Sequence, residues 1–346
     1  MPLLDAMTTL LRRDPIGRAA RTKVRKLCQC LTVAAGSGLP RTYIFFGESP
    51  GDDMLATAVL REMHDRGMSR PWYGSNYPDL FAGNPHVERV VPMSSQFGHL
   101  LRKLGRVVYD LGYKVPNDND RSTPVPPEHL VAMMARNAGL SGHIDVCPHL
   151  HLSETEIAAG RIVDNQIAIM STGMNAKMPM ANKQWPPERF QQVVDALRDR
   201  FNFVQLGVNG DVPLEGVTQL CGKKSIRESA AVLKNSLCFV GTVGFLMHLA
   251  RAVDCRSVII YGGRETPSQS GYIANENLYS AVPCSPCWLI NRCDFDRKCL
   301  KMIEADAVIA ALETQLSRHG TPLPIERASL APLAVMNSLE SGQLAR

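Results

Sequence analysis

LCFVGTVGFLMHLARAVDCRSVIIYGG, residues 237–263, decides the fold of this chain. Leu237 to Val240 is a short apolar run of strand type. Gly241 and Gly244 permit a tight turn that bulkier residues would obstruct. Phe245, Leu249 and Val253 then recur at i, i+4 and i+8, the spacing of one helix face. Arg256 to Tyr261 is largely β-branched and apolar, and it stops at Gly262-Gly263. The stretch reads as a βαβ unit with a glycine-bearing turn before its helix. Amides at such a helix start lack intrahelical partners and point outward, which suits an anion such as a phosphate. His248 falls in the first turns of that helix, near the expected anion.

The same alternation extends in both directions. Towards the N-terminus, Thr42 to Phe46 is a strand, GESPGDD is a loop, and Met54 to Arg66 is a helix. Leu55, Val59 and Met63 form its buried stripe and Gly67 ends it. Short strands are expected at 70–73, 87–92 and 107–111. Residues 113–128, rich in Pro, Asn and Asp, read as a long functional loop before a helix over 129–138. The alternation restarts with a strand over 166–170, a helix over 186–201, a strand over 203–207 and a helix over 226–235. A last amphipathic helix spans 301–318. The expected fold class is therefore α/β, with two Rossmann-like doubly wound domains facing a cleft. The expected division is a basic extension (1–40), a first domain (41–160), a second domain (161–318) and a tail (319–346). Ligands of open α/β sheets bind beyond the carboxyl ends of the strands. Loops 47–53, 171–183, 207–215, 241–244 and 262–271 all lie there.

Size and composition fit this reading. The chain has 346 residues, enough for two ordinary domains, with 45% hydrophobic and 21% charged residues. A net charge of +5 is too mild to argue for nucleic acid, and none is expected as a partner. No apolar run approaches the roughly 20 residues of a membrane helix. Between Arg12 and Lys26, seven cations stand against the single acid Asp14. That stretch is either a solvated leader helix or a peripheral contact with an anionic membrane surface. Leu27 to Ala35 is mostly apolar, but it is short, contains Gln29 and lacks a cleavage pattern, so it is not read as a secretory signal. Ten cysteines spread through strands and helices favour reduced thiols and a cytoplasmic location.

Four of those cysteines cluster. Cys284, Cys287, Cys293 and Cys299 are spaced C-x2-C-x5-C-x5-C. Four thiolates so close in sequence suit a closed tetrahedral ion, structural Zn or Fe, that takes no part in catalysis. Unligated thiols or two disulfides are the alternatives. Cys221, Cys238 and Cys255 read as core residues.

Four patches in order carry a family resemblance over residues 41–315. They are Gly51-Asp52 with Leu55, Thr57, Leu60, Arg61 and Glu62; Lys183-Gln184-Trp185-Pro186 with Glu188 and Phe190; His248-Leu249-Ala250 with Ala252; and Tyr261-Gly262-Gly263 with Pro267. On these the chain resembles the heptosyltransferase-type glycosyltransferases (ADP-heptose:LPS heptosyltransferases, glycosyltransferase family 9). The resemblance implies two Rossmann-like domains in the GT-B arrangement. It implies a nucleotide-diphosphate sugar on the second domain, and a glycolipid, glycan or protein acceptor on the first. Transfer would be an inverting single displacement that needs no catalytic metal, carried out at the cytoplasmic membrane face. It puts Asp52 in the position of the base, with Asp53 as immediate rival, and Lys183 opposite the leaving diphosphate. Ser171, Thr172, Thr242, Gly244, His248 and Arg264 are the expected donor contacts. Tyr109, Tyr113, Lys114 and Arg121 flank the acceptor loop, and Asp211 and Glu215 are either donor contacts or ordinary loop acids. One departure matters. The family carries an acidic motif just before the histidine, where this chain has Val243, Gly244 and Phe245. Two other readings share the architecture: a sugar-nucleotide epimerase, and a degenerate non-catalytic scaffold.

Overall fold

The computed structural model describes residues 17–47 and 49–330. Arg12, Arg13 and Asp14 of the basic stretch, Glu48 of the first loop and the tail beyond Leu330 lie outside the described residues. The first lobe comprises α1 (Arg18–Ser37), β1 (Thr42–Phe45), α2 (Pro50–Asp65), β2 (Trp72–Ser75), β3 (Arg89–Pro92), α3 (Ser95–Lys103), β4 (Val107–Asp110), α4 (Leu130–Asn137) and β5 (Gly142–Asp145). The second begins with α5 (Glu154–Ala159), β6 (Gln166–Ile169), α6 (Pro187–Leu197), β7 (Asn202–Gln205), β8 (Thr218–Gln219) and α7 (Ile226–Lys234). It continues with β9 (Cys238–Thr242), α8 (Phe245–Ala252), β10 (Ser257–Gly262), α9 (Pro267–Ser270), β11 (Glu276–Tyr279), α10 (Lys298–Lys301) and α11 (Ala305–Ser317). The described chain ends in β12 (Arg327–Leu330).

Both main sheets are parallel. The first has the order β3-β2-β1-β4 and the second β11-β10-β9-β6-β7-β8. Strand order reverses between β1 and β4 in one lobe and between β6 and β9 in the other. Each reversal opens a crevice, because the connections on its two sides leave in opposite directions. The loops that leave those crevices are 46–47 with Ser49, 111–129, 170–186 and 243–244. The two Rossmann-like units therefore offer their ligand-binding ends to a common cleft.

Burial follows the parallel-sheet rule. β1, β6, β9 and β10 are buried along their whole length, as continuous apolar strands covered on both faces must be. One hydrophobic core runs through both lobes. A second, smaller core lies on the other face of the first sheet, where α1 and α3 cover Tyr43, Phe45, Trp72 and Val91. Helix α1 contributes Cys30 and Ala34 to it, and the Cys30 thiol donates to the Pro92 carbonyl. The helix of the basic N-terminal stretch is thus packed into the first lobe, with Arg18, Arg21, Lys23 and Arg25 exposed.

Helix α8 departs from the one-faced stripe expected for it. Met247, His248, Leu249, Ala250, Arg251 and Ala252 are all buried, so the helix is covered nearly all round. Its second cover is α2 of the other lobe. The short elements α3, β5, β8, β11 and β12 were not expected from periodicity. β5 and β12 pair antiparallel, Ile144 opposite Ala328, so residues of the expected tail return to the first lobe.

Candidate functional site

Helix α2 starts at the end of β1 with Ser49 as its cap. The Ser49 hydroxyl accepts from the Asp52 amide at 3.2 Å and donates to Asp52 Oδ2 at 2.7 Å. Cap and first-turn carboxylate therefore hold each other. Tyr113, on the loop after β4, donates its hydroxyl to Asp52 Oδ1 at 2.9 Å. The two loops that meet at the first strand reversal thus grip both oxygens of one carboxylate. Gly47 has φ +58, and a Cβ there would stand 2.7 Å from Asp52 Oδ2. Only glycine serves where the backbone passes so close to the acid. Burial raises Asp52 above its ordinary 3.8, against the hydrogen bonds of Ser49 and Tyr113 and the charge of Lys183.

Asp53 is spent differently. It accepts from Tyr73 at 2.9 Å and from Ser75 at 2.5 Å, both on β2, and is 2% exposed. It locks α2 onto the sheet. Burial raises its carboxyl to about 7, against the hydrogen bonds of Ser75 and Tyr73.

Across the cleft, Lys183 leaves a 3-10 turn, Ala181–Lys183, held by its neighbours. The Asn182 amide donates to the carbonyls of Leu289 and Arg292, and Trp185 Nε1 donates to the Ile303 carbonyl at 2.8 Å. Lys183 Nζ lies 2.7 Å from Glu265 Oε1. Burial lowers the lysine from its ordinary 10.5, while Glu265 and Asp52 hold it up. Asp52 and Lys183 lie near enough for each to feel the other's charge.

The start of α8 completes the site. Gly244 caps the helix with φ +155, and a Cβ placed on it would meet nothing within 4 Å. That leaves open space before unpaired helix amides. His248 Nδ1 lies 2.7 Å from the Tyr272 hydroxyl, and its ring faces Gly51, whose Cβ would come within 4.0 Å of Cδ2. Burial and the charge of Lys183 lower His248 to about 3, so the ring is neutral.

Residues 153–292 match the family model of glycosyltransferase family 9 (heptosyltransferase). The matched stretch makes up most of the second lobe. The enzyme is a glycosyltransferase, and both lobes have the GT-B arrangement of solved members. A family 9 glycosyltransferase from Veillonella parvula aligns with a TM-score of 0.59 and 16% identity, over 80% of this chain and 97% of that one. ADP-heptose LPS heptosyltransferase II from E. coli aligns with 0.59 and 15%, over 80% and 98%. The iron-containing dodecameric glycosyltransferase TibC from enterotoxigenic E. coli aligns with 0.62 and 17%, over 79% and 75%. No curated sequence matches the chain.

Several expected donor contacts of the glycosyltransferase are committed elsewhere. Ser171 is fully buried; it donates to the Val212 carbonyl and accepts from Gln205 at 2.8 Å. Thr172 donates to Gln184 Oε1 at 3.0 Å and accepts from the Met174 amide. Both hydroxyls shape the loop rather than face the cleft. The Thr242 hydroxyl lies on Met170 sulfur at 3.7 Å. Arg264 donates to the Leu289 carbonyl and to Glu265, and its guanidinium stacks over Trp288 at 4.8 Å. It braces the loop and is not a second free cation. Asp211 closes its own loop on the Val208 amide. Arg121 pairs with exposed Asp294.

The four clustered cysteines do not form the closed site their spacing led us to expect. All are free thiols, and among the described residues no three His, Cys, Asp or Glu stand close enough to hold a metal ion. Other groups set the path of the segment. Asn182 and Arg264 hold its carbonyls, Trp288 Nε1 donates to Gln269, and Asp118 of the first lobe accepts from the Ile290 and Asn291 amides. Burial pushes the Cys287 and Cys299 thiols up. Sequence reasoning missed this bracing, and it also missed Glu265 as the partner of Lys183. A glutamate next to an expected phosphate site was the available signal.

The raised carboxyl of Asp53 gives a pH test. The folded state holds a proton that the unfolded state has lost between pH about 4 and about 7, so stability falls as pH rises through that window. Asp53→Asn should flatten this part of the melting-temperature profile while transfer persists. An unchanged slope in the variant would place the titration elsewhere.

Proposed function

We propose that the enzyme moves a sugar, heptose in the first instance, from a nucleotide-diphosphate donor to an acceptor hydroxyl with inversion. The observation that carries this reading is that Asp52 and Lys183 lie near enough for each to feel the other's charge, beside the open helix start at Gly244. The acceptor oxygen bonds to the anomeric carbon as the bond from that carbon to the diphosphate oxygen breaks. The hydroxyl proton passes to Asp52, and the electron pair departs with the diphosphate. A carboxylate raised by burial has the proton affinity a general base needs. Lys183 and the α8 amides balance charge that grows on the leaving group. Heptose as the sugar is supported by the names of the similar structures, one of which is TibC in complex with ADP-D-β-D-heptose.

We also propose that the acceptor is lipid-linked or protein-borne and is met at the cytoplasmic face of the membrane. No helix among the described residues is long and apolar enough to cross a bilayer. Support for a peripheral contact comes from Arg18, Arg21, Lys23 and Arg25 on α1, together with Arg102 and Lys103 of α3. All six are exposed, and none has a carboxylate within ion-pair distance among the described residues. Exposed Leu104 extends the same surface. Cations with apolar tips suit anionic headgroups.

The four-cysteine segment is proposed to bind a structural iron or zinc ion, which would draw the thiols together. The donor set is soft, and TibC is described as iron-containing. The ion would stiffen the segment that holds Asn182 and Arg264.

Three outcomes are expected. Asp52→Asn should lower transfer by about 10²–10⁴-fold, the range of a lost general base, with donor affinity retained in a titration calorimeter; normal turnover would remove Asp52 from the role. Purified protein should contain about one iron or zinc ion per chain by elemental analysis, and Cys287→Ser should lose it with a lower melting temperature. Metal-free protein with unaltered melting in the variant contradicts the metal site. Finally, the protein should co-sediment with vesicles containing phosphatidylglycerol and be released by salt. Equal binding to pure phosphatidylcholine contradicts the electrostatic contact.

A further inference from the structure

We infer that Glu265 is a positioning residue that holds Lys183 away from Asp52. The inference rests on the proposed roles of Asp52 and Lys183 and adds to them. Two carboxylates compete for one ammonium in this cleft. Lys183 Nζ is 2.7 Å from Glu265 Oε1, and no ion pair joins it to Asp52 among the described residues. Asp52 is instead held by two neutral donors, the hydroxyls of Ser49 and Tyr113.

Glu265 is built for this task. It is 2% exposed and sits two residues beyond the Gly262-Gly263 turn at the end of β10. The same Oε1 accepts from Arg264 Nη1 at 2.7 Å, and Ser270 supplies a further hydrogen bond. The charges of Lys183 and Arg264 keep its carboxyl at about 2 despite burial. Arg264 cannot follow the lysine, because its Nε is tied to the Leu289 carbonyl and its plane lies over Trp288. The acid is therefore anchored on one side and presents its oxygen to Lys183 on the other.

The arrangement separates two jobs that would otherwise cancel. A base salt-bridged to the leaving-group lysine would lose proton affinity, since an opposite charge within a few ångströms stabilises the carboxylate. Lys183 would likewise meet the diphosphate with its charge already spent. Glu265 is already shared with Arg264, so Lys183, Arg264 and Glu265 together keep one net positive charge beside the site of the leaving group. The groups that face Lys183 are Glu265, Arg264, Asp52 and neutral His248; those that face Asp52 are Tyr113, Asp53 and Lys183.

The test is a charge-removal cycle in the full chain. Glu265→Gln should lower kcat for sugar transfer by about tenfold or more, with donor KM unchanged or lower. A raised donor KM with unchanged kcat would overturn the inference, because it signals a plain binding contact. Independently of turnover, the Asp52 carboxyl, followed by carbon-13 NMR, should titrate about one unit lower in Glu265→Gln. That shift should vanish in a Lys183→Gln background, since Glu265 acts only through the lysine. A shift of the same size in both backgrounds, or none in either, overturns the inference. Should Glu265→Gln fail to fold, Glu265→Asp keeps the charge but shortens the arm, and the same downward shift is expected; an unmoved Asp52 overturns the inference there too. Inactive wild-type protein that shows the Asp52 shift would sink the transferase reading and leave this one standing.

Discussion

Two helix starts packed against each other hold this molecule's site together. α2 begins at the strand reversal of the first sheet and α8 at that of the second, and the two helices lie in contact across the lobes. Their contact is close because Gly51 faces the His248 ring with no side chain between. Each start brings something the other lacks. α2 carries a carboxylate in its first turn, where the helix dipole favours negative charge. α8 carries unpaired amides before an open space. Were the two helices separated, neither lobe would contain a site.

The cleft is consequently a place of buried charge, and the protein manages that charge group by group. His248 and His129 are neutral because burial disfavours their cations, and each has a partner oxygen, from Tyr272 and the Gly271 carbonyl respectively. Asp53 accepts two hydrogen bonds from β2, from Tyr73 and Ser75. Lys183, Arg264 and Glu265 form a compact set in which every charge has an opposite within 2.7 Å. Buried ions persist only when paired in this way. A surface crevice of about 460 Å³ lined by Arg61, Asp145 and Arg327 lies at the other end of α2, away from these groups.

The cysteine segment ties the parts together. Its carbonyls hold Asn182, next to Lys183, and Arg264, next to Glu265. Its amides are held by Asp118 of the first-lobe loop that also carries Tyr113. Both walls of the cleft therefore rest on one short stretch of chain. A change in that stretch would reach Asp52 through the loop and Lys183 through its neighbour.

Periodicity and glycine placement determined the α/β class, the two lobes and the loops that face the cleft, because these depend on local spacing and on which residues a turn tolerates. The order of Gly51-Asp52, Lys183-Gln184-Trp185-Pro186 and His248 brought Asp52 and Lys183 into one expected site only through the family resemblance those patches carry. The rest was settled by neighbours distant in sequence. Whether Ser171 faces a ligand or the Val212 carbonyl, whether Asp52 or Asp53 turns inward, and which acid takes the Lys183 ammonium depend on groups 22 to 82 residues away. Local pattern carries no record of such partners. Short elements such as β5 and β12 form because another strand is there to pair, and the alignment of residue 145 with residue 327 has no signature in either segment alone.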